Sequence, residues 1–247
     1  MFPIRDHNPS GRIPYVTYTL IALNIGVFIM YWPLLSDARA ISSFFGDWAM
    51  IPGRVSAGEQ SYTLVTSMFL HGGIMHLAGN MLFLWIFGDN MEDEFGHLGF
   101  TIFYLASGLA AGAAHLISDP SSGVPTVGAS GAIAGVMGGY LLLFPKARVD
   151  ILLILVVIFK IFPIPAWIML GLWFGMQLLG GFSTPTTGGG VAYWAHAGGF
   201  VIGLIFTIPH FLRRGGIAFW QRTDMHPPHP EATYRFARTN VPTVRRK

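Results

Sequence analysis

Residues 69–88 read Phe69-Leu70-His71-Gly72-Gly73-Ile74-Met75-His76-Leu77-Ala78-Gly79-Asn80-Met81-Leu82-Phe83-Leu84-Trp85-Ile86-Phe87-Gly88. No Asp, Glu, Lys or Arg interrupts the run, and a helix needs about 20 mainly apolar residues to cross a bilayer. Yet the run carries two histidines and an asparagine. Ionisable side chains within a membrane are costly, which makes them functional candidates by default. His76 and Asn80 stand at i and i+4 on one helical face, about 6 Å apart. As an isolated pair they read as an interhelical hydrogen-bond clamp.

Working outward, the same length rule marks five further stretches, near 15–35, 98–118, 128–145, 164–181 and 193–212. The expected fold is an all-α membrane protein, a six-transmembrane-helix bundle over 15–212. It is preceded by a short segment, 1–14, and followed by a basic tail, 213–247, without a fixed fold. Residues 150–163 are apolar too, but hold Lys160 and run into Pro163-Ile164-Pro165. A residue before proline is pushed out of the helical region, so this stretch is expected to be interfacial or re-entrant.

Composition supports the membrane class. Of 247 residues 52% are hydrophobic and 11% charged, against about 25% charged in a soluble domain; mean hydropathy is +0.53. The absence of cysteine excludes a thiol nucleophile, a disulfide and a thiolate metal site. Arg5 and Arg12 precede the first span, and Lys146 and Arg148 lie between the fourth and fifth. Arg213, Arg214, Arg222, Arg235, Arg238, Arg245, Arg246 and Lys247 follow the sixth, while Arg39 and Arg54 fall on the other side. The positive-inside rule then places both termini in the cytoplasm, with the plasma (cell inner) membrane as the expected location. The net charge of +3 is a topology signal, and no nucleic-acid partner is expected. Arg5, Asp6 and Arg12 before the first apolar run, with no small-residue cleavage site after it, argue against a cleavable signal peptide.

The acids all fall in loops, at span edges or in the tail, whereas His71, His76, His115, His196 and His210 lie within the expected spans. The fourth span opens Gly128-Ala129-Ser130-Gly131-Ala132, the sixth Tyr193-Trp194-Ala195-His196-Ala197-Gly198-Gly199. A lone serine in a glycine-rich helix commonly bonds its own backbone, and a lone buried histidine is commonly structural. Shared depth changes that reading. With the N-terminus inside, spans two, four and six enter from the outer face. His76, Asn80, Ser130 and His196 then lie within about three turns of it, at 1.5 Å per residue. Gly131, Gly135 and Gly139 form one small-residue stripe, and Ala195, Gly199 and Gly203 another, so the two helices can pack closely. Ser130 would meet His196, a neutral base able to take the hydroxyl proton. With no carboxylate to orient the imidazole, the pair would be a Ser–His dyad. Asn80, His76 and the Ser130 N–H are donors available to an oxyanion. The loop 182–192 leading to His196 suggests a water-accessible cavity.

These segments resemble the rhomboid family of intramembrane proteases. The resemblance covers about 12–212 and rests on Gly128-Ala129-Ser130-Gly131-Ala132, His76-x-x-x-Asn80 and Ala195-His196-Ala197-Gly198-Gly199. It implies a six-helix fold with a partly membrane-embedded first loop, about 36–66, and an intramembrane serine endopeptidase cleaving single-span membrane proteins. It further implies Ser130 as nucleophile, His196 as base, and His76, Asn80 and the Ser130 amide as oxyanion hole. Neither a metal nor a cofactor is called for. His71 resembles an accessory polar residue near the site, and Glu92 a structural anchor for backbone N–H groups. Some members place a tyrosine one turn after the serine, against the histidine; here that position is Ala134, and Tyr140 lies too far along the helix to replace it.

Three other readings compete. A transporter would want ionisable residues near the midplane and internal repeats. A site of His71, His76 and His196 could offer three metal ligands, but the first two are badly spaced for one face and no carboxylate completes it. A catalytically inactive relative, acting as a membrane chaperone or trafficking factor, shares the fold without the chemistry.

Overall fold

A computed structural model describes residues 2–155, 158–184, 190–232 and 234. The chain opens with β1 (Phe2–Asp6), then α1 (Tyr15–Tyr31), which continues as a 3₁₀ turn to Ser36. The first loop holds α2 (Ala38–Trp48), α3 (Pro52–Ser56) and α4 (Thr63–Thr66). The long α5 (Ile74–Ser118) and short α6 (Ser130–Leu143) follow. A hairpin of β2 (Arg148–Leu155) and β3 (Ile158–Pro165) leads into α7 (Ala166–Ser183), α8 (Tyr193–Arg213) and α9 (Ile217–Thr223). Among the described residues four helices are long and apolar enough to cross a membrane: Tyr15–Ser36, α5, α7 and α8; α6 is apolar but has 14 residues.

The stretches 69–88 and 98–118 are the two arms of α5, which breaks at Gly96 (φ 68°, ψ 166°). An L side chain rarely adopts that φ, so glycine permits the turn. Its helix begins only at Ile74, which leaves His71 in the non-helical segment before it rather than within a span. Acidic residues gather at the break. Glu92 accepts the Val16 and Thr17 N–H groups and the Thr17 hydroxyl, each at 2.8 Å, and contacts His97 Nδ1 at 2.6 Å. It thus satisfies the open donors of the first turn of α1, which has no side-chain cap of its own. Glu94 binds His210 and Arg214 near the end of α8, at 2.9 and 3.1 Å.

At the opposite end α5, α6 and α8 all begin together. Between α6 and α8 the expected small-residue stripes meet: a Cβ on Gly199 would strike the Gly131 carbonyl, and one on Gly203 the Gly135 carbonyl. Gly138 likewise abuts the Phe200 carbonyl, while Gly139 faces Met91, Phe103 and Thr207. With side chains at these glycines the two backbones could not touch.

Two expectations are corrected. The fold is mainly helical but not all-α: β1, β2 and β3 form an antiparallel sheet in that order. Of the stretch 150–163, residues 150–155 and 158–163 belong to its two strands β2 and β3, since the β-branched run favours strand and Pro163 and Pro165 bar helix; both prolines sit on an edge strand, where no ladder donor is lost. The tail is also folded in part. Phe219 is fully buried, Trp220 Nε1 donates to the Leu142 carbonyl at 3.0 Å, and the Ala232 N–H reaches the His7 carbonyl at 2.8 Å. Two aromatic side chains in α9 supply apolar burial that the polar average of the tail conceals. Tail residues 235–247 lie outside the described residues.

The sheet caps the end of the bundle remote from Ser130. Asp6 of β1 is buried beside the Tyr140 hydroxyl (3.3 Å) and Asn90 Nδ2 (3.2 Å). Burial, and then the neighbouring Asp89 carboxylate, push the Asp6 carboxyl up to about 8.

Candidate active site

Ser130 is the first residue of α6, and the turn before it is set by Gly128. The Gly128 N–H donates to the Ser67 carbonyl at 2.9 Å, and its φ is +130°. A Cβ there would lie 2.9 Å from His76 Nε2 and 3.4 Å from Ser130 Oγ. Glycine therefore serves twice, by its backbone angle and by leaving free the gap between the histidine ring and the hydroxyl.

His196 sits in the first turn of α8, across the α6–α8 seam, with Nε2 2.7 Å from Ser130 Oγ. Its other nitrogen, Nδ1, lies 2.8 Å from Gln177 Oε1 on α7. The Gln177 amide in turn donates from Nε2 to the Trp173 carbonyl at 3.2 Å. The Trp173 ring leans over the imidazole, with centroids 5.8 Å apart and planes 33° apart. The aromatic contact to the histidine thus comes from α7 rather than from α6, where Ala134 is buried.

His76 accepts the Gly72 N–H at Nδ1, at 3.3 Å. A neutral ring accepting there carries its proton on Nε2, which faces the Gly128 gap. Asn80, one turn on, is buried and its Nδ2 has no partner among the described residues. All four residues line a cavity of about 560 Å³ together with Trp173 and Met137, within the range of small-molecule and substrate clefts. The structure thus brings His76, Asn80, Ser130 and His196 to one cavity, as the shared-depth argument expects. Residues 185–189 of the loop expected to admit water lie outside the described residues.

His71 stands behind this set. Its ring is fully buried, 5.1 Å from that of His76, with both nitrogens lacking a partner among the described residues. Its backbone is held at both polar atoms by Tyr31, whose hydroxyl accepts the His71 N–H at 2.7 Å and donates to its carbonyl at 2.8 Å. His115 also lines the cavity and pairs with Thr126 Oγ1 at 3.0 Å. Among the described residues, no group of three or more His, Cys, Asp or Glu side chains is arranged to hold a metal.

Sequence reasoning passed over Gln177 and Trp173. A signal existed: Gln177 is the one amide in an otherwise apolar span, and Trp173 precedes it by one helical turn. Unlike Asn80, which stands one turn from His76, Gln177 has no polar neighbour on its own helix face to draw attention to it.

The family profile described as Rhomboid domain matches residues 58–213. The rhomboid protease GluP of Bacillus subtilis is 34% identical over 128 residues, covering 52% of this chain and 24% of GluP. Rhomboid protein 1, mitochondrial, of Saccharomyces cerevisiae is 28% identical over 200 residues, covering 77% of this chain and 52% of that protein. RHOMBOID-like protein 6, mitochondrial, of Arabidopsis thaliana is 38% identical over 95 residues, covering 38% and 29%. The matched stretches therefore span about a quarter to a half of these relatives' own length. With the profile covering more than half of the sequence, on a bundle of apolar helices long enough to span a bilayer, this chain is an integral membrane protein of the rhomboid family.

Proposed function

We propose that the protein is an intramembrane serine endopeptidase that cleaves single-span membrane proteins, with Ser130 as nucleophile and His196 as general base. The observation that carries this reading is the 2.7 Å contact between Ser130 Oγ and His196 Nε2 at the wall of a 560 Å³ cavity. In the first step Ser130 Oγ attacks the scissile carbonyl while His196 Nε2 takes the hydroxyl proton. The negative charge that develops on the carbonyl oxygen falls in the gap beside Gly128. There the His76 Nε2–H, the Asn80 amide and the Ser130 N–H, a free donor at the start of α6, would stabilise it. One such donor contributes about 3 kcal/mol. Collapse breaks the C–N bond, and His196 passes its proton to the leaving amine. A water, deprotonated by the same histidine, then releases the acyl group from Ser130.

The membrane arrangement belongs to this proposal. The two arms of α5, with α1, α6, α7 and α8, make six crossings, which sets both termini on one side. The arginine distribution makes that side the cytoplasm, and a plasma (cell inner) membrane suits a chain so oriented. The first loop, where no side chain of α2 is buried in the protein, would rest partly in the outer leaflet. The β2–β3 hairpin would lie at the inner interface.

The test is cleavage of a single-span model substrate by the purified protein in detergent, comparing wild type with Ser130→Ala, with EDTA as control. Cleavage that survives EDTA and disappears in the variant is the expected result, with product masses giving the scissile bond. Equal cleavage by both forms removes Ser130 from the reaction. A wild type that neither cleaves nor reacts with a fluorophosphonate favours the inactive, chaperone-like relative.

A further inference from the structure

The Ser130–His196 contact works as a base pair only in one tautomer, and the structure contains a device that selects it. Gln177 Oε1 can only accept, so the His196 Nδ1 facing it must carry the ring proton. A neutral imidazole has one such proton, which leaves Nε2 as a bare lone pair turned towards the Ser130 hydroxyl. The amide could reverse the pattern by flipping, putting its NH2 on Nδ1 and forcing the proton onto Nε2. That flip would leave the Trp173 carbonyl without the donor it has at 3.2 Å. It would also set the Gln177 Oε1 against that carbonyl oxygen, leaving the side-chain oxygen a buried acceptor without a donor. Gln177 is itself buried, so water offers no easy substitute.

Resting on the serine-protease reading above, we propose that Gln177 is the positioning residue of the dyad: it holds the Nδ1–H tautomer of His196 and accepts from the imidazolium that forms when Ser130 attacks. A carboxylate commonly fills this place in Ser–His–Asp enzymes. A neutral amide performs the same orientation without burying a charge in an apolar span. The titratable groups that share the cavity are His76 and His115 from α5 and Tyr193 from α8, and no carboxylate lines it among the described residues. The lock also joins three helices. Ser130 comes from α6, His196 from α8 and Gln177 from α7, so the correct tautomer is enforced only while α7 is seated.

Gln177→Leu keeps the volume and removes the acceptor, while Gln177→Glu keeps an acceptor and adds charge. The first should lower kcat roughly ten- to a hundredfold, the range seen when the orienting partner of a functional histidine is removed, with KM unchanged within about twofold. Fluorophosphonate labelling of Ser130 should slow by the same factor. The second should regain most of kcat at alkaline pH and move the acidic limb of the pH–kcat/KM profile upward, because a carboxylate stabilises the imidazolium. A merely structural role moves neither the limb nor the KM-to-kcat split. Histidine ¹⁵N NMR, with the His196 signal identified by its loss in His196→Ala, reads the tautomer without turnover: protonated Nδ1 and bare Nε2 in wild type, lost in Gln177→Leu. Wild-type kcat together with an unchanged tautomer in Gln177→Leu overturns the proposal. Should Gln177→Leu fail to fold, the limb of Gln177→Glu decides, and an unmoved limb also overturns it. Should Ser130→Ala cleave like wild type, the protease reading falls by itself and the NMR pattern alone decides the role of Gln177.

Discussion

The seam between α6 and α8 and the seat of α7 use the same residue type to opposite ends. In the seam, Gly138, Gly199 and Gly203 bring backbone against backbone, with no room for a Cβ. On α7, Gly171 and Gly175 face open space, and Gly180 and Gly181 receive the rings of Tyr193 and Trp194. Phe174 also stacks on Phe200 at 4.7 Å. Of the side chains on α7, Ala166, Met169, Leu170 and Gln177 are buried, and only the last lies in its second half. The difference teaches where precision is stored. Carbonyl and amide backbones cannot rotate away, so the seam sets the Ser130–His196 distance. Side chains can yield, so α7 contributes orientation on a softer mount.

The sharpest way to break this contrast is to fill the seam. Gly203→Ala places a methyl on the Gly135 carbonyl, where no rotamer relieves it; overpacking of this kind costs about 1–3 kcal/mol or more. A relative shift of about 1 Å between nucleophile and base can reduce rate a hundredfold. Thermal unfolding in detergent and Ser130-dependent cleavage should both fall steeply; near-normal values for both would show that the seam is not rigid.

A second measurement sharpens the contrast at the far end of α6, where Tyr140 meets Asp6. The Asp6 pKa is raised from 3.8 in the unfolded chain to about 8 in the fold. The folded state therefore holds a proton that the unfolded state has released. Its contribution to stability is greatest below about pH 4, declines as pH rises towards 8, and is flat above it. Asp6→Asn should remove that slope, leaving the variant more stable than wild type at pH 8, by roughly 3 kcal/mol if half of the linkage is realised, and similar at pH 4. The readout is the difference between the two unfolding midpoints across pH. A constant difference would place the Asp6 proton elsewhere.

The smallest effect is expected on α7. Gly171→Ala and Gly175→Ala meet nothing within 4 Å and gain helix propensity of up to about 1 kcal/mol. Unfolding midpoints should stay level or rise slightly, with cleavage unchanged. A large loss in either would mean that α7 is seated as tightly as α8.

Much of this was legible in the order of residues. Apolar runs located the helices, and polar groups stranded within them located His76, Asn80, Ser130 and His196. The stripes Gly131/Gly135 and Gly199/Gly203 announced which helices touch. What escaped notice has physical causes. The run 150–163 is apolar on every residue but few, so periodicity could not separate a strand from a membrane segment, and its pairing with β1 depends on residues far away in sequence. The ordered part of the tail was hidden because Phe219 and Trp220 are diluted by arginine and proline around them. Gln177 was hidden because its role exists only once α7 lies against His196.

The sheet carries a consequence for the order of assembly. Arg5 and Asp150, joined at 2.7 Å, are separated by 145 positions. Strand β1 thus acquires its partner only after α6 has been made, and must stay unpaired until then. Closure of this end is a late, long-range event. A chain halted before residue 148 would display a bare strand edge and an unsheltered Asp6, the kind of surface by which incomplete proteins aggregate or are recognised and removed.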